Sequence, residues 1–182
     1  MAELYERVAA ERRRLRQVRQ ALTQSTLQTS DGDAAWAPFY VAIADYFEAA
    51  MARLHTQDIR MGEMLRDKAD MSEPGNQRAL AELDERLSGN QQHLKQMLAA
   101  RDELNADAQA GLQAFETAGK AYADYIVANM GHHPGSTEMA QRLFSGEDWE
   151  YMAGISEVDQ AREVQLFDQV FANVPASLAL TE

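Results

Sequence analysis

The sequence predicts an all-α protein, an antiparallel four-helix-bundle-like domain with extra C-terminal helices, and three observations carry that prediction. Apolar residues recur at helical spacing in every long segment. The 46% hydrophobic content leans on Ala, Leu and Met, which are good helix formers, while Gly and Pro contribute only ten and four residues. The strong turn signals fall between the periodic segments rather than inside them. A chain of 182 residues buries enough apolar surface to fold without disulfides or a structural zinc, so residues 1–182 are read as one helical domain.

The first helix is expected over 3–29, where Leu4, Val8, Leu15, Val18 and Leu22 share a face, and Ser30-Asp31-Gly32-Asp33 ends it. Over 34–69, Trp36, Tyr40, Ile43, Phe47, Ala50, Leu54, Met61 and Leu65 fall within about 40° of one line. Pro38 is tolerable there because it lies in the first turn. Ser72-Glu73-Pro74-Gly75-Asn76 reads as a break. The third helix, 77–104, carries Leu80, Leu83, Leu87, Leu94, Met97 and Leu98, and the fourth, 108–130, carries Leu112, Phe115, Tyr122, Ile126 and Met130. A single helix across both would reach about 80 Å. That is long for a compact domain, so a break is expected near 105 although the polar patch there has neither Gly nor Pro.

Gly131-His132-His133-Pro134-Gly135 is read as a helix stop. Short helices follow at 137–144 and 146–153. Ser156 with Asp159 resembles a capping box that opens a last helix over 157–172, whose apolar face is expected at Val164, Phe167, Val170 and Phe171. The tail from Pro175 is expected to be loose.

Charge and composition narrow the function. The absence of cysteine excludes disulfides, thiolate nucleophiles and zinc–thiolate sites, and makes a reducing cytoplasm the simplest location. The opening MAELYERVAAERRRLRQ lacks the apolar core of a signal peptide, and no stretch of about 18 apolar residues is present to span a bilayer. The net charge is −12, yet residues 1–30 hold six arginines against Glu3, Glu6 and Glu11, a local +3 that leaves −15 for the remainder. Such a body repels nucleic acid. The basic first helix is therefore expected to dock on the acidic body of its own chain or on a second subunit, an intramolecular face being favoured over an RNA-binding arm; the partners expected are a second copy in a homo-oligomer and a protein met through this helix.

A helical bundle builds sites from side chains that project inward from facing helices. Asp58 lies near the apolar stripe of the second helix, and Asn90 and Arg101 interrupt the leucine row of the third. Buried charge is costly unless paired, so intramolecular pairing that fixes register is the plainest reading of all three. For a turn centred near residue 74, antiparallel packing places His55 and His93 at the same height, each at the flank of its helix. Glu48 lies seven residues before His55 on the same face. His55, His93, Glu48 and Asp58 are therefore the candidate metal or polar pocket, since divalent transition metals take imidazole and carboxylate ligands. The alternative is two partly exposed histidines with no ligand role. His132 and His133 suit a helix C-terminus through the macrodipole. Trp36, Phe39, Tyr40, Tyr46 and Phe47 read as core. There is no Gly-rich phosphate loop and no nucleophile elbow.

The stretch from Phe39 to Phe47, FYVAIADYF, running into Arg53-Leu54-His55-Thr56-Gln57-Asp58, resembles the second helix of hemerythrin-like proteins. The resemblance covers at most residues 33–133. It implies a four-helix bundle and, as cofactor, iron or another divalent transition metal. The family sets its paired ligands four apart, whereas Ile59 follows His55 at that spacing and Met97 follows His93. The family site uses five histidines and this chain has four. The ferritin-like pattern of Glu three before His also fails, because those positions hold Ala52, Asn90, Asn129 and Met130. Three function classes stand: a hemerythrin-like bundle that binds a metal or small ligand, a homodimeric scaffold or interaction bundle, and a cofactor-dependent enzyme. Binding ranks above catalysis because no nucleophile or acid–base pair is identifiable.

Overall fold

Prolines and short polar residues decide where the helices begin. The computed structural model describes residues 2–129 and 134–181, and among them are seven α-helices and no strand: α1 (Ala2–Gln28), α2 (Ala37–Lys68), α3 (Pro74–Ala106), α4 (Ala108–Asn129), α5 (Pro134–Leu143), α6 (Gly146–Met152) and α7 (Glu157–Ala172). The all-α prediction holds, and no helix is long and apolar enough to cross a membrane among the described residues. After α1 the chain turns through left-handed backbone at Thr29, Asp31 and Gly32. Asp33 then accepts the Ala35 N–H and caps a single 3-10 turn, Ala34–Trp36, that leads into α2.

Two helices start three residues earlier than expected, α3 at Pro74 and α5 at Pro134. Proline at the first helical position loses an N–H that has no intrahelical acceptor there, so it opens a helix as readily as it ends one. Residues 130–133, with Met130, the helix stop and the role of His132 and His133, lie outside the described residues.

The break between α3 and α4 is a single residue. Asp107 is extended (φ −148°, ψ 102°), and its carboxylate accepts the N–H groups of Gln109 and Ala110, which caps α4. A side chain at Gly111 would bring its Cβ within 2.5 Å of the Leu104 Cα, so the reversal requires glycine. With the corner made, α4 packs back along α3.

α2 is the central element, touching α1, α3, α5, α6 and α7. Around its Phe39, Tyr40, Ile43 and Phe47 gather Leu22 of α1, Met97 of α3, Phe115 and Tyr122 of α4 and Val170 of α7. Tyr40 stacks on Phe115 with centroids 4.8 Å apart, and Phe47 meets Tyr122 edge-on at 5.3 Å. A smaller cluster of Met61, Leu65, Leu80, Leu83 and Met139 fills the other end of α2.

Two expectations are corrected. Half of the expected face of α7 holds, with Val170 buried and Phe167 packed against the core, but Val164 and Phe171 are 37% and 38% exposed and Glu163 is buried in their place. α7 can bury a carboxylate there because an arginine of α2 meets it. The tail is not loose either: Leu178 is buried in the main core, Leu180 packs against it, and the Trp36 indole donates to Ser177 Oγ at 3.0 Å. Leucines at alternate positions of an extended segment fall on one side, toward the core.

Candidate functional site

Three polar features stand out against this apolar frame. The first fills a gap in the α1 stripe. Leu4, Val8, Leu15, Val18 and Leu22 step by fours and threes with one position missing, and Glu11 occupies it. Its side chain meets Arg53 of α2 at 3.1 Å, while Arg53 Nε and Nη2 donate to the two carboxylate oxygens of Glu163 at 2.8 and 3.2 Å. Arg7 lies 3.8 Å from Glu11 and donates to the Ala153 carbonyl, and Arg14 lies 3.9 Å from Glu163. Both glutamates are 2% exposed. Burial pushes the Glu11 carboxyl above the usual range, opposed by Arg53, Arg7 and Arg14. Burial, followed by the nearby Glu163 charge, also raises the Tyr46 phenol. The cluster ties α1 and α7 to α2 through one guanidinium.

The second feature contains the predicted site residues. His55 Nε2 lies 2.8 Å from Asn90 Oδ1. The same oxygen accepts the buried Tyr122 hydroxyl at 3.3 Å. Asn90 has no exposed surface, and its amide joins α2, α3 and α4. The His93 ring stacks on Tyr125 of α4 at 4.6 Å, and Tyr125 donates to the Arg86 carbonyl at 3.0 Å. Among the described residues, Asn90 Nδ2 and His93 Nδ1 have no hydrogen-bond partner. Glu48 turns to Arg101 at 2.6 Å, an arginine that also binds Asp45 and Asp102. Asp58 is half-buried on α2 and engaged.

The four candidate ligands therefore do not form one set. Among the described residues, no group of three or more His, Asp or Glu side chains is placed to hold a metal ion. The reason is partly helical rise: Glu48 and His55 share a face but stand seven residues, about 10.5 Å, apart along the axis. Ligand bonds are only about 2.0 to 2.2 Å long. The other reason is competition, since Arg101 and Asn90 are nearer partners. Asn90 and Arg101 thus behave as the paired seam residues that the interrupted leucine row predicted.

The third feature is the outer face of α1. The six arginines divide by helical position: Arg7 and Arg14 turn inward with Glu11, while Arg12, Arg13 and Arg16 are exposed and Arg19 is half-buried. Among the described residues, none of these four outward arginines has a carboxylate within 4.0 Å. The expected docking of the basic helix on its own chain is thus carried by two of its arginines, Arg7 and Arg14.

Sequence reasoning passed over Glu11, Arg53 and Glu163. The usable signal was spacing, because Glu11 completes the α1 stripe and Glu163 lies seven residues before the buried Val170. No protein-family model, curated protein or solved structure matches the chain.

Proposed function

We propose that this chain is an interaction bundle that associates with a second copy of itself through the basic outer face of α1. The carrying observation is the set of exposed arginines Arg12, Arg13 and Arg16, which have no carboxylate partner among the described residues, on a molecule whose remaining residues sum to −15. A second copy supplies the complementary surface, for example the exposed Glu82 and Glu85 of α3 or Glu147 and Glu150 of α6. A two-fold arrangement uses each such contact twice. Charge complementarity of this kind speeds encounter and sets orientation more than it adds affinity, so the dimer is salt-sensitive. A hemerythrin-like iron site has less support, because its candidate ligands take separate partners.

Sedimentation velocity at about 0.02 M and about 0.5 M salt, where the screening length falls severalfold, tests the reading. The wild-type chain is expected to be dimeric at low salt and to dissociate at high salt, and Arg12→Glu with Arg16→Glu is expected to be monomeric at both. A wild-type monomer at low salt refutes self-association. Stoichiometric metal in the purified protein by elemental analysis would instead support the metal-binding alternative.

A further inference from the structure

The glutamines of α1 recognise backbone. Gln24 Nε2 donates to the Thr181 carbonyl at 3.0 Å while Gln24 Oε1 accepts the Thr181 N–H at 2.8 Å. One turn on, Gln28 Nε2 donates to the Ala179 carbonyl at 2.8 Å and Gln28 Oε1 accepts the Ala179 N–H at 3.3 Å. Each side-chain amide thus exchanges two hydrogen bonds with one residue, as a neighbouring β-strand does. The spacings match: four helical residues rise about 6.0 Å, and two extended residues span about 6.6 Å. Two glutamines four apart on a helix therefore read alternate residues of an extended chain running antiparallel to it.

The other alternate positions carry the side-chain recognition. Leu178 is buried and Leu180 half-buried against the core, while Ser177 Oγ, just before this alternation, accepts a hydrogen bond from the Trp36 indole N–H. Backbone pairing with pockets for every second side chain is the logic of peptide recognition by strand addition, here performed by a helix.

We propose that this side of α1 is a recognition site for an extended peptide with leucines at alternate positions, which residues 177–181 occupy in cis. The occupant in trans is a partner segment of that chemistry, which displaces the chain's own strap. This site is separate from the arginine face.

The test uses the full chain with Leu178→Asp, which makes the strap a poor occupant, and a dye-labelled synthetic copy of residues 175–181 read by fluorescence polarisation. The peptide is expected to bind this variant at least about tenfold more tightly than the wild-type chain, whose strap competes. Adding Gln24→Ala and Gln28→Ala is expected to weaken that binding by at least about tenfold, with the helical circular dichroism unchanged. Failure of a folded Leu178→Asp chain to bind, or binding indifferent to the two glutamines, overturns the proposal. Should Leu178→Asp not fold, hydrogen exchange on the wild-type chain decides. The Ala179 and Thr181 amides are expected to exchange at least about a hundredfold faster than the slowest α2 amides, by local release of the strap. Exchange of these amides only on global unfolding overturns the proposal.

Discussion

Arg53→Met tests the buried ionic cluster more sharply than any other single change. The substitution keeps the length of the side chain and removes the guanidinium that contacts Glu11 at 3.1 Å and Glu163 at 2.8 and 3.2 Å. Both carboxylates are 2% exposed, and the remaining cations are less well placed, Arg7 at 3.8 Å and Arg14 at 3.9 Å. Removing one partner of a buried pair leaves uncompensated buried charge, at a cost of about 3 to 5 kcal/mol. For a chain of this size that lowers the melting temperature by roughly 6 to 20 °C. The pH dependence has a definite sign. Glu11 is already held above its ordinary 4.5 by burial, against the pull of Arg53, and loss of Arg53 raises it further. A carboxyl raised in the folded state binds more protons there than in the unfolded chain, so stability falls as pH rises through the window above 4.5 and returns as pH falls toward it. Urea unfolding followed by circular dichroism at about pH 7 and about pH 5 should show the gap between variant and wild type narrowing on acidification. Combining the change with Glu11→Leu and Glu163→Leu should regain most of the loss, because an apolar replacement of a whole buried ion cluster is often neutral. A cost below about 1 kcal/mol, the same at both pH values, would mean that the cluster behaves as a solvated surface pair and would refute this reasoning.

Two further outcomes test the corners of the fold. Gly111→Ala should destabilise by about 1 to 3 kcal/mol, because its Cβ meets the Leu104 backbone rather than a side chain that can swing away; Gly75→Ala, with nothing within 4 Å, is the control and should leave the melting temperature unchanged or slightly raised. Leu178→Ala should cost about 2 kcal/mol in chemical unfolding, the low end for a buried leucine, whereas an unanchored tail would give no change.

Much of the architecture was legible because helix formation depends on local periodicity. The stripe on α2 from Trp36 to Leu65 fixed its inward face, and the excessive length of an uninterrupted helix over residues 77–130 was enough to require the break that Asp107 makes. The partners of His55 and His93 were not legible at the next level. Helical register can bring two positions to one height, but which atom a ring nitrogen meets depends on its competitors across the seam, and here those are Asn90 and Tyr125. Glu48 was placed on the correct face and then lost to Arg101.

By itself the sequence determined the helical class, the approximate extents of the helices, the inward stripes of α1 and α2, and the concentration of positive charge on α1. Those properties follow from interactions between residues three or four apart, which are written into the order of the chain. Only the tertiary structure decided that Glu11 and Glu163 could be buried, since each is tolerable only beside Arg53, and Glu163 is 110 positions from it along the chain. It decided likewise that residues 177–181 are held, because Gln24 and Thr181 meet across 157 positions. Pairings that distant leave no periodic trace: their free energy depends on three helices arriving together, and a polar residue looks the same in sequence whether its partner is water or a buried charge.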